Sequence, residues 1–383
     1  MEIKRRKALF VWLIFVSLVL AWLVGAFRQE IELAPFMGEV LPQAERFERV
    51  QDWLYVGYRQ VGDAENTVGF VAFGSGQGYA GPIGLAVGLT PQGTIARVAM
   101  SRETETVAFL RKIYSAGLFD SVIEKSCDDA FRIDRDIQAV TGATMSLQGV
   151  TEAMRRACHR VARQLNRPVE EVPVPRVSVG VPEAVLLLLY VVGYLAYRRK
   201  QGKHRWLQRI GLALGFVLVG VWLSRPISLI HINAFLLGYW PLWQTHLYWY
   251  LLVGGVLLPI LLTGKSPYCS YVCPFGAVQQ ALGALGGKVV AVSPKVSVWL
   301  RWAQRFLVWV AVLCALATRN PVVFNYEVTG TFFSLTGALW QFVLLAVVLI
   351  VSLFLTRPWC NYLCPIRVIT DYLRAVRCMF KRS

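Results

Sequence analysis

Apolar residues concentrate in six runs along the chain, and polar and charged residues separate these runs. A helix needs about 20 residues to cross the roughly 30 Å hydrocarbon core of a membrane. We therefore predict six transmembrane helices, of which the second and fifth need flanking residues to complete a crossing. The runs lie at residues 8–27, 182–197, 207–223, 246–263, 306–318 and 339–356.

Charge is distributed unequally between these runs and the long polar stretch that follows the first of them. The 383-residue chain is 56% hydrophobic, yet it has 40 Lys and Arg against 23 Asp and Glu, for a net charge of +17. Residues 28–181 hold 17 of the basic and 19 of the acidic residues, so the positive excess belongs to the apolar part. This placement indicates a membrane protein and argues against nucleic acid as a partner.

The basic residues also predict the orientation of the chain. They cluster before the first run, between the second and third, between the fourth and fifth, and after the sixth. By the positive-inside rule, both termini are predicted to be cytoplasmic and residues 28–181 to lie outside. The first run resembles a signal peptide in its basic start. However, its length and the residues Phe27, Arg28 and Gln29 at its end favour a retained anchor.

The polar stretch reads as one compact α+β domain from about residue 52 to residue 165. Two β-prone segments, 81–89 and 94–100, flank a Pro/Gly turn and predict a hairpin. Residues 140–146 then open a helix with Ser146 as its predicted N-cap. The apolar residues of this helix fall on one face and its cations on the other, which is typical of a helix packed on a sheet.

The segment Thr141-Gly142-Ala143-Thr144 resembles the flavin-attachment motif of the FMN-binding domain found in the external subunits of the Rnf and Nqr complexes and in NosR/NirI-type proteins. The resemblance implies that Thr144 binds FMN as a phosphoester, formed by a flavin transferase. It also implies FMN-binding roles for Thr141, Gly142, Ala143, Ser146, Gly81, Pro82, Ile83, Glu103 and Thr104. Small residues before a helix N-terminus suit an anion. Taken alone, such a motif is more often an ordinary helix start.

The apolar part contains an internal duplication. Arg205-Trp206-Leu207-Gln208-Arg209 recurs as Arg301-Trp302-Ala303-Gln304-Arg305, and each copy ends in Cys-x3-Cys-Pro. The matching positions are about 91 to 97 residues apart, a regularity that indicates a repeat. Because each copy contains two predicted spans, both copies keep one orientation, and both cysteine pairs are predicted to be cytoplasmic.

The paired cysteines are Cys269, Cys273, Cys360 and Cys364. Cys-x3-Cys-Pro resembles the end of the bacterial ferredoxin motif, and the reducing cytoplasm keeps thiols free. We hypothesise that the four cysteines bind one iron-sulfur cluster, most simply a 4Fe-4S cluster. Two partly ligated clusters, ligands from a partner, structural zinc and inert apolar cysteines remain alternatives.

The whole layout resembles NosR/NirI-type proteins, with a membrane part similar to that of NapH-type proteins. The chain would be a short form that lacks a C-terminal ferredoxin domain. The fold class we predict is an α+β external FMN-binding domain plus an all-α membrane domain of about six transmembrane helices with an internal two-helix repeat. The predicted domains are an N-terminal tip and anchor (1–27), the periplasmic FMN-binding domain (28–166), a Pro-rich linker (167–181), transmembrane helix 2 with a basic loop (182–204), repeat 1 (205–300) and repeat 2 (301–383).

The function we expect is electron transfer in the bacterial inner membrane, between a cytoplasmic-side iron-sulfur centre and covalent periplasmic FMN. We expect three protein partners: a flavin transferase, a cytoplasmic donor or ferredoxin-like subunit, and a periplasmic acceptor. The predicted cofactors lie on opposite faces, so a further carrier in the membrane is also expected. A membrane redox sensor, regulator or maturation factor is the alternative.

Several other residues have ordinary structural explanations. Cys127 and Cys158 could form a disulfide, but separate packing in the helix and core serves equally well. His231 and His246 could bind a cofactor, although neither recurs in the second copy, and we favour hydrogen bonding. His159 is predicted to lie on the surface of its helix.

Overall fold

The structure is a computed structural model, and the chain divides into two compact units. The sheet unit comprises Phe27–Val174 and Asn320–Val322, and the helical unit comprises Met1–Ala26, Pro175–Arg319 and Val323–Ser383. The residues that the structure describes are 2–28, 33–61, 63–133, 135–140, 142–170, 177, 179–198, 205–287 and 290–380.

The sheet unit is built on five antiparallel strands that follow one another in chain order. The last two strands form the predicted hairpin, in which Ala86 pairs with Ala99 and Gly93 turns the chain at a φ of +81°. The strands are β1 (Arg46–Gln51), β2 (Leu54–Val61), β3 (Ala64–Gln77), β4 (Pro82–Leu89) and β5 (Ile95–Glu103).

Helices cover both faces of this sheet. On one face, Leu85 and Val87 pack in the same core as Met154 of the long helix, and on the other Ala86 packs with Val40. This is why every residue of β4 after its first is buried. The helices are α2 (Ala34–Val40), α3 (Val107–Ser115), α4 (Leu118–Ser121) and α5 (Thr144–Gln164).

The long helix α5 approaches strand β3 very closely. A Cβ on Gly74 would lie 1.9 Å from the carbonyl oxygen of Ala153, and one on Gly76 would lie 2.1 Å from that of Gly149. Only glycine permits this backbone contact, so the two β3 glycines fix the position of α5 on the sheet.

The helical unit begins with α1 (Glu2–Phe27) and continues after the sheet unit. Its other α-helices are α6 (Val181–Arg198), α7 (Arg205–Gly215), α8 (Leu229–Leu237), α9 (Leu247–Thr263), α10 (Pro274–Leu285), α11 (Pro294–Thr318), α12 (Val328–Ser334), α13 (Leu339–Ser352), α14 (Pro358–Tyr362) and α15 (Pro365–Phe380). Two π-helical segments, Phe216–Trp222 and Tyr268–Val272, extend α7 and precede α10.

Two of the described helices are long and apolar enough to cross a membrane, namely α11 and residues 9–27 of α1. Helices α12 and α13 meet that standard together but are bent by 96°, as in a broken span or a re-entrant segment. Shorter apolar helices cover Val181–Leu195, Gln208–Trp222 and Leu247–Thr263, at the places of three predicted spans. The total of six spans therefore stays a prediction.

The duplicated sequence forms the same succession of elements twice. In the first copy, α7 with its π-helical extension is followed by the short helix α8, the apolar helix α9 and the cysteine motif. In the second copy, α11, α12, α13 and the other motif follow in that order. Besides the two predicted spans, each copy thus has a short helix between them, α8 or α12, and a helix after the motif, α10 or α15.

Candidate cofactor sites

Each cysteine motif places its second cysteine immediately before a helix. Cys273 precedes α10, whose first residue is Pro274, and Cys364 precedes α15, which begins at Pro365. Proline suits the first position of a helix because it has the right φ and no amide hydrogen to satisfy. The proline of Cys-x3-Cys-Pro thus starts the helix that follows the second cysteine.

The four motif cysteines, although they come from distant parts of the chain, line one cavity of about 270 Å³ in the helical unit. In the described residues, no three His, Cys, Asp or Glu side chains are close enough together to bind a single metal ion. Four thiols around a shared cavity are the donor set of a multi-iron cluster.

Electrostatics around the cavity agree with a positively charged metal centre among the thiols. Burial raises the pKa of all four thiols, and that of Cys360 rises to about 11 despite the nearby guanidinium of Arg357. A thiolate here therefore needs a cation to compensate its charge. Iron supplies that charge, and Arg357, Arg367 and Arg374 also line the cavity.

One glutamine of the first copy supports the motif of the second. Gln279, fully buried in α10, donates from Nε2 to the sulfur of Cys360 over 3.3 Å. Its Oε1 accepts from the backbone amide of Trp359 over 2.9 Å. An N–H bond to a ligating sulfur is one of the levers that set the reduction potential of a cluster.

The repeated Arg-Trp-x-Gln-Arg sequence has a role that its pattern did not reveal. Gln304 donates to the carbonyl oxygen of Cys364 over 2.9 Å, and Gln208 donates to that of Ser270 over 3.3 Å. Each repeated glutamine therefore binds the backbone of the cysteine motif of its own copy.

In the sheet unit, the flavin-attachment motif lies at the start of α5. Thr144 is the first residue of this helix and is exposed, whereas Ala143 precedes it as a buried N-cap residue. Gly142 turns the chain at a φ of +75°. Thr141 lies outside the described residues.

The prediction that Ser146 caps α5 is wrong. The helix begins two residues earlier, at Thr144, because the turn at Gly142 and Ala143 already directs the chain into it. Ser146 lies inside the first turn with only 1% of its surface exposed, and its hydroxyl faces Glu105.

Glu105 organises this site, although the sequence did not single it out. Its Oε2 accepts from the amide of Tyr79 over 2.7 Å and its Oε1 from that of Thr106 over 2.7 Å. Burial raises the pKa of the carboxyl, and the backbone hydrogen bonds oppose this shift. The carboxyl group thus ties the loop before β4 to the segment that follows β5, beneath the start of α5.

A cation also stands beside the motif. The Nζ of Lys112, in α3, is 2.9 Å from the position that a Cβ on Gly142 would occupy. Gly142, two residues before Thr144, therefore leaves room for this ammonium group. A positive charge at a helix N-terminus suits a phosphate group.

The other predicted FMN-binding residues occupy different environments. Thr104 donates its hydroxyl hydrogen bond to the carbonyl oxygen of Pro82, and Gly81 accepts from the amide of Gly78 over 2.9 Å. Ile83, by contrast, is fully buried in the core opposite Glu103, which is exposed. The side chain of Ile83 therefore packs in the core and has no free surface for a cofactor.

Two other cysteines and two histidines are buried and have contacts that stabilise the fold. Cys127 and Cys158 are free thiols, both buried in the core of the sheet unit. His231 is buried and shares a 2.7 Å hydrogen bond with the hydroxyl of Ser228. The prediction that His159 lies on the surface is wrong, because its ring is largely buried and its Nε2 lies 3.0 Å from the carbonyl oxygen of Asp129.

Comparison with known proteins agrees with both sites. The FMN-binding domain family matches residues 78–159, and the 4Fe-4S binding domain family matches residues 245–292 and 337–382. The first match contains Thr144 and Glu105, and the other two contain one cysteine motif each.

Three curated proteins are similar to parts of the chain. NirI of Paracoccus denitrificans is 29% identical over 213 residues, which are 50% of this chain and 30% of that protein. Regulatory protein NosR of Pseudomonas aeruginosa is 28% identical over 209 residues, which are 49% of this chain and 28% of that protein. YccM of Escherichia coli K12, named as a candidate electron transport protein, is 31% identical over 129 residues, 30% of this chain and 35% of YccM.

These matches define a protein that joins an FMN-binding domain to a 4Fe-4S binding domain. The aligned part spans about a third or less of each of these relatives. Within that part, the chain is a NosR/NirI-like protein.

Proposed function

We propose that this chain is a membrane-bound electron-transfer protein with two redox groups, one 4Fe-4S cluster and one covalently bound FMN. The observation that carries the proposal is the shared cavity, where cysteines from both copies of the repeat meet. The cluster and the flavin both exchange single electrons, which is the chemistry that they supply when bound.

At the cysteine cavity, the chain supplies four thiolate ligands, and glutamine side chains hold the cysteine motifs in place by hydrogen bonds. Gln279 orients Cys360 through its sulfur, while Gln304 and Gln208 hold the motif backbones. The arginines Arg357, Arg367 and Arg374 add positive charge that stabilises an anionic metal-thiolate centre. The residues present therefore fit an iron-sulfur cluster.

At the start of α5, the chain supplies an exposed hydroxyl and an anion-binding environment. Thr144 is accessible to a flavin transferase, and the helix N-terminus and Lys112 would hold the phosphate of a phosphoester at its hydroxyl. Glu105 fixes the loops around this point. These residues fit FMN attached through its phosphate.

The proposed location is the bacterial inner membrane, with six spans, cytoplasmic termini and a periplasmic FMN-binding domain. The support is the distribution of basic residues, together with the apolar helices α1, α6, α9 and α11. In this arrangement, a cytoplasmic donor or ferredoxin-like subunit and a periplasmic acceptor are the electron partners. The inside-negative membrane potential favours outward electron movement by about 2.3 kcal/mol per 100 mV.

Metal analysis of anaerobically purified chain tests the cluster. We expect about four iron and four sulfide ions per chain. Cys360→Ser should lose most of both, whereas Cys314→Ser, which changes a cysteine of α11 outside the cavity, should retain them. Zinc without labile sulfide would contradict the proposal.

A regulatory role is the second candidate function, because one of the similar proteins is Regulatory protein NosR. The two functions differ in turnover. Sustained flavin reduction by a cytoplasmic donor in sealed vesicles, with continuous reoxidation outside, supports electron supply. Reduction that stops after one equivalent favours sensing.

A further inference from the structure

A basic groove runs along the surface of the sheet unit, and neither proposed cofactor site includes it. Its volume is about 360 Å³. One wall is formed by four arginines of α5, and the other wall comes from the segment that follows this helix. The residues on which the argument depends are Arg155, Arg156, Arg160 and Arg163 on the helix and Val169 and Glu170 opposite.

Three of these arginines are fixed in place and do not extend freely into water. Arg156 donates from Nη1 to the carbonyl oxygen of Ser75 over 2.9 Å, and Arg160 donates to that of Phe73. Arg155 is paired with Glu152 and has a side chain only 18% exposed. Because a guanidinium has five donors, each of these groups keeps others for a ligand.

In the part of the chain that the structure describes, the glutamates paired with the groove arginines are fewer than those arginines. Glu152 serves both Arg155 and Arg156, the latter over 2.8 Å. Glu170 is already bound by Arg132 over 3.4 Å and by Arg135 over 2.9 Å. Four arginines therefore share these two glutamates, and among the described residues Arg160 and Arg163 form no ion pair with either of them.

This excess of positive charge is partly withdrawn from water. Burial, and then the neighbouring arginines, lower the pKa of Arg155 and of Arg160. Arginine stays protonated under such conditions, so the repulsion persists in the folded protein. An anion bound in the groove would relieve it.

We propose that the groove binds a phosphate-bearing anion, either free in solution or as the headgroup of a phospholipid. Convergent guanidinium groups match phosphate because they form paired, charge-assisted hydrogen bonds with its oxygens. The volume lies within the range of small-molecule sites, about 300–1,000 Å³. This site is independent of the proposed electron transfer.

Calorimetric titration of the full chain with inorganic pyrophosphate tests the proposal. The chain is placed in nanodiscs of uncharged phosphatidylcholine at about 0.15 M salt, which screens diffuse attraction. We expect saturable binding that Arg163→Gln weakens about tenfold, since a charge-assisted contact is lost. Arg156→Gln serves as a second variant, and Arg59→Gln, an exposed arginine of β2, is the matched control that should change affinity less than about twofold.

Nanodiscs that contain phosphatidylglycerol distinguish the two sources of phosphate. Weaker pyrophosphate binding in them identifies the lipid headgroup as the occupant, and unchanged binding identifies a free phosphate. The proposal is overturned if no saturable binding occurs in uncharged nanodiscs. It is equally overturned if Arg163→Gln and Arg156→Gln bind as tightly as Arg59→Gln, because the signal then comes from another site.

Discussion

The two proposed cofactor sites are built in opposite ways. The FMN site draws on residues 78–159 of one continuous domain, and its attachment residue Thr144 is exposed. The cysteine cavity is assembled from two copies of a repeat, and its four cysteines are only partly exposed. A group that an enzyme attaches needs an accessible hydroxyl, whereas a cluster with four thiolates needs a closed, charge-compensated cavity.

The largest expected effect is the complete loss of covalent flavin at one site with no change at the other. Thr144→Val should abolish covalent flavin when the chain is produced with a flavin transferase, because no hydroxyl remains to form the phosphoester. Its iron content should not change. Covalent flavin is measured by fluorescence of the denatured chain and by the mass of the peptide that contains residue 144. Iron content is measured by metal analysis. Flavin that remains bound after denaturation would place the attachment elsewhere.

Gln279→Leu should weaken the cysteine cavity without affecting the flavin. The change leaves the buried amide of Trp359 without its acceptor, at a cost of about 1–3 kcal/mol, and removes the hydrogen bond to Cys360. We expect a lower melting temperature and a more negative reduction potential, since the N–H bond stabilises the added electron. Gln148→Leu, which changes an exposed glutamine of α5 outside the cavity, is the control and should leave the potential unchanged. A potential equal to that of the wild type would exclude this role for Gln279.

Lys112→Met should slow flavin attachment by about tenfold, which corresponds to about 1.4 kcal/mol. The reason is loss of the positive charge beside Gly142, where the phosphate must be held. Lys112→Arg should restore most of the rate. The rate of covalent flavin incorporation is the measurement, and equal rates in all three proteins would remove Lys112 from the site.

The smallest expected effect is a difference in melting temperature between matching variants of the two copies of the repeat. Gln304→Leu should lower the melting temperature more than Gln208→Leu, because its bond to the motif backbone is shorter, 2.9 Å against 3.3 Å. Both losses should be about 1 kcal/mol or less. A larger fall in melting temperature for Gln208→Leu than for Gln304→Leu would contradict this explanation, because the length of the backbone hydrogen bond would then not determine the loss of stability.

Features that depend on a local pattern could be predicted from the sequence. The hairpin of β4 and β5 follows from two β-prone segments around a Pro/Gly turn, and the amphipathic helix α5 follows from helical apolar spacing. Strand β1 escaped prediction because five of its six residues are exposed, so it has no apolar alternation. The short helices α8 and α12 escaped as well, because they lie between the predicted spans and are, at nine and seven residues, too short to cross a membrane.

Residues whose partners are distant in the chain could not be predicted. In the sequence, nothing distinguishes Gln279 from other glutamines. Its role comes from its hydrogen bond to Cys360, which is 81 positions away. Glu105 and Lys112 likewise gain their roles from segments 25 to 30 positions away. The burial of His159 could not be predicted either, because its helical position gives no sign of its contact with the carbonyl oxygen of Asp129.

The central claim is that the two copies of the repeat hold one cluster together, and the iron content of copy-specific variants tests it most directly. In one variant Cys269 and Cys273 are replaced by serine, and in the other Cys360 and Cys364 are replaced. Because all four thiols line one cavity, each variant should lose nearly all of its iron and sulfide while keeping covalent flavin at Thr144. Retention of about half the iron in each variant would show that the copies bind separate clusters, and would contradict the account.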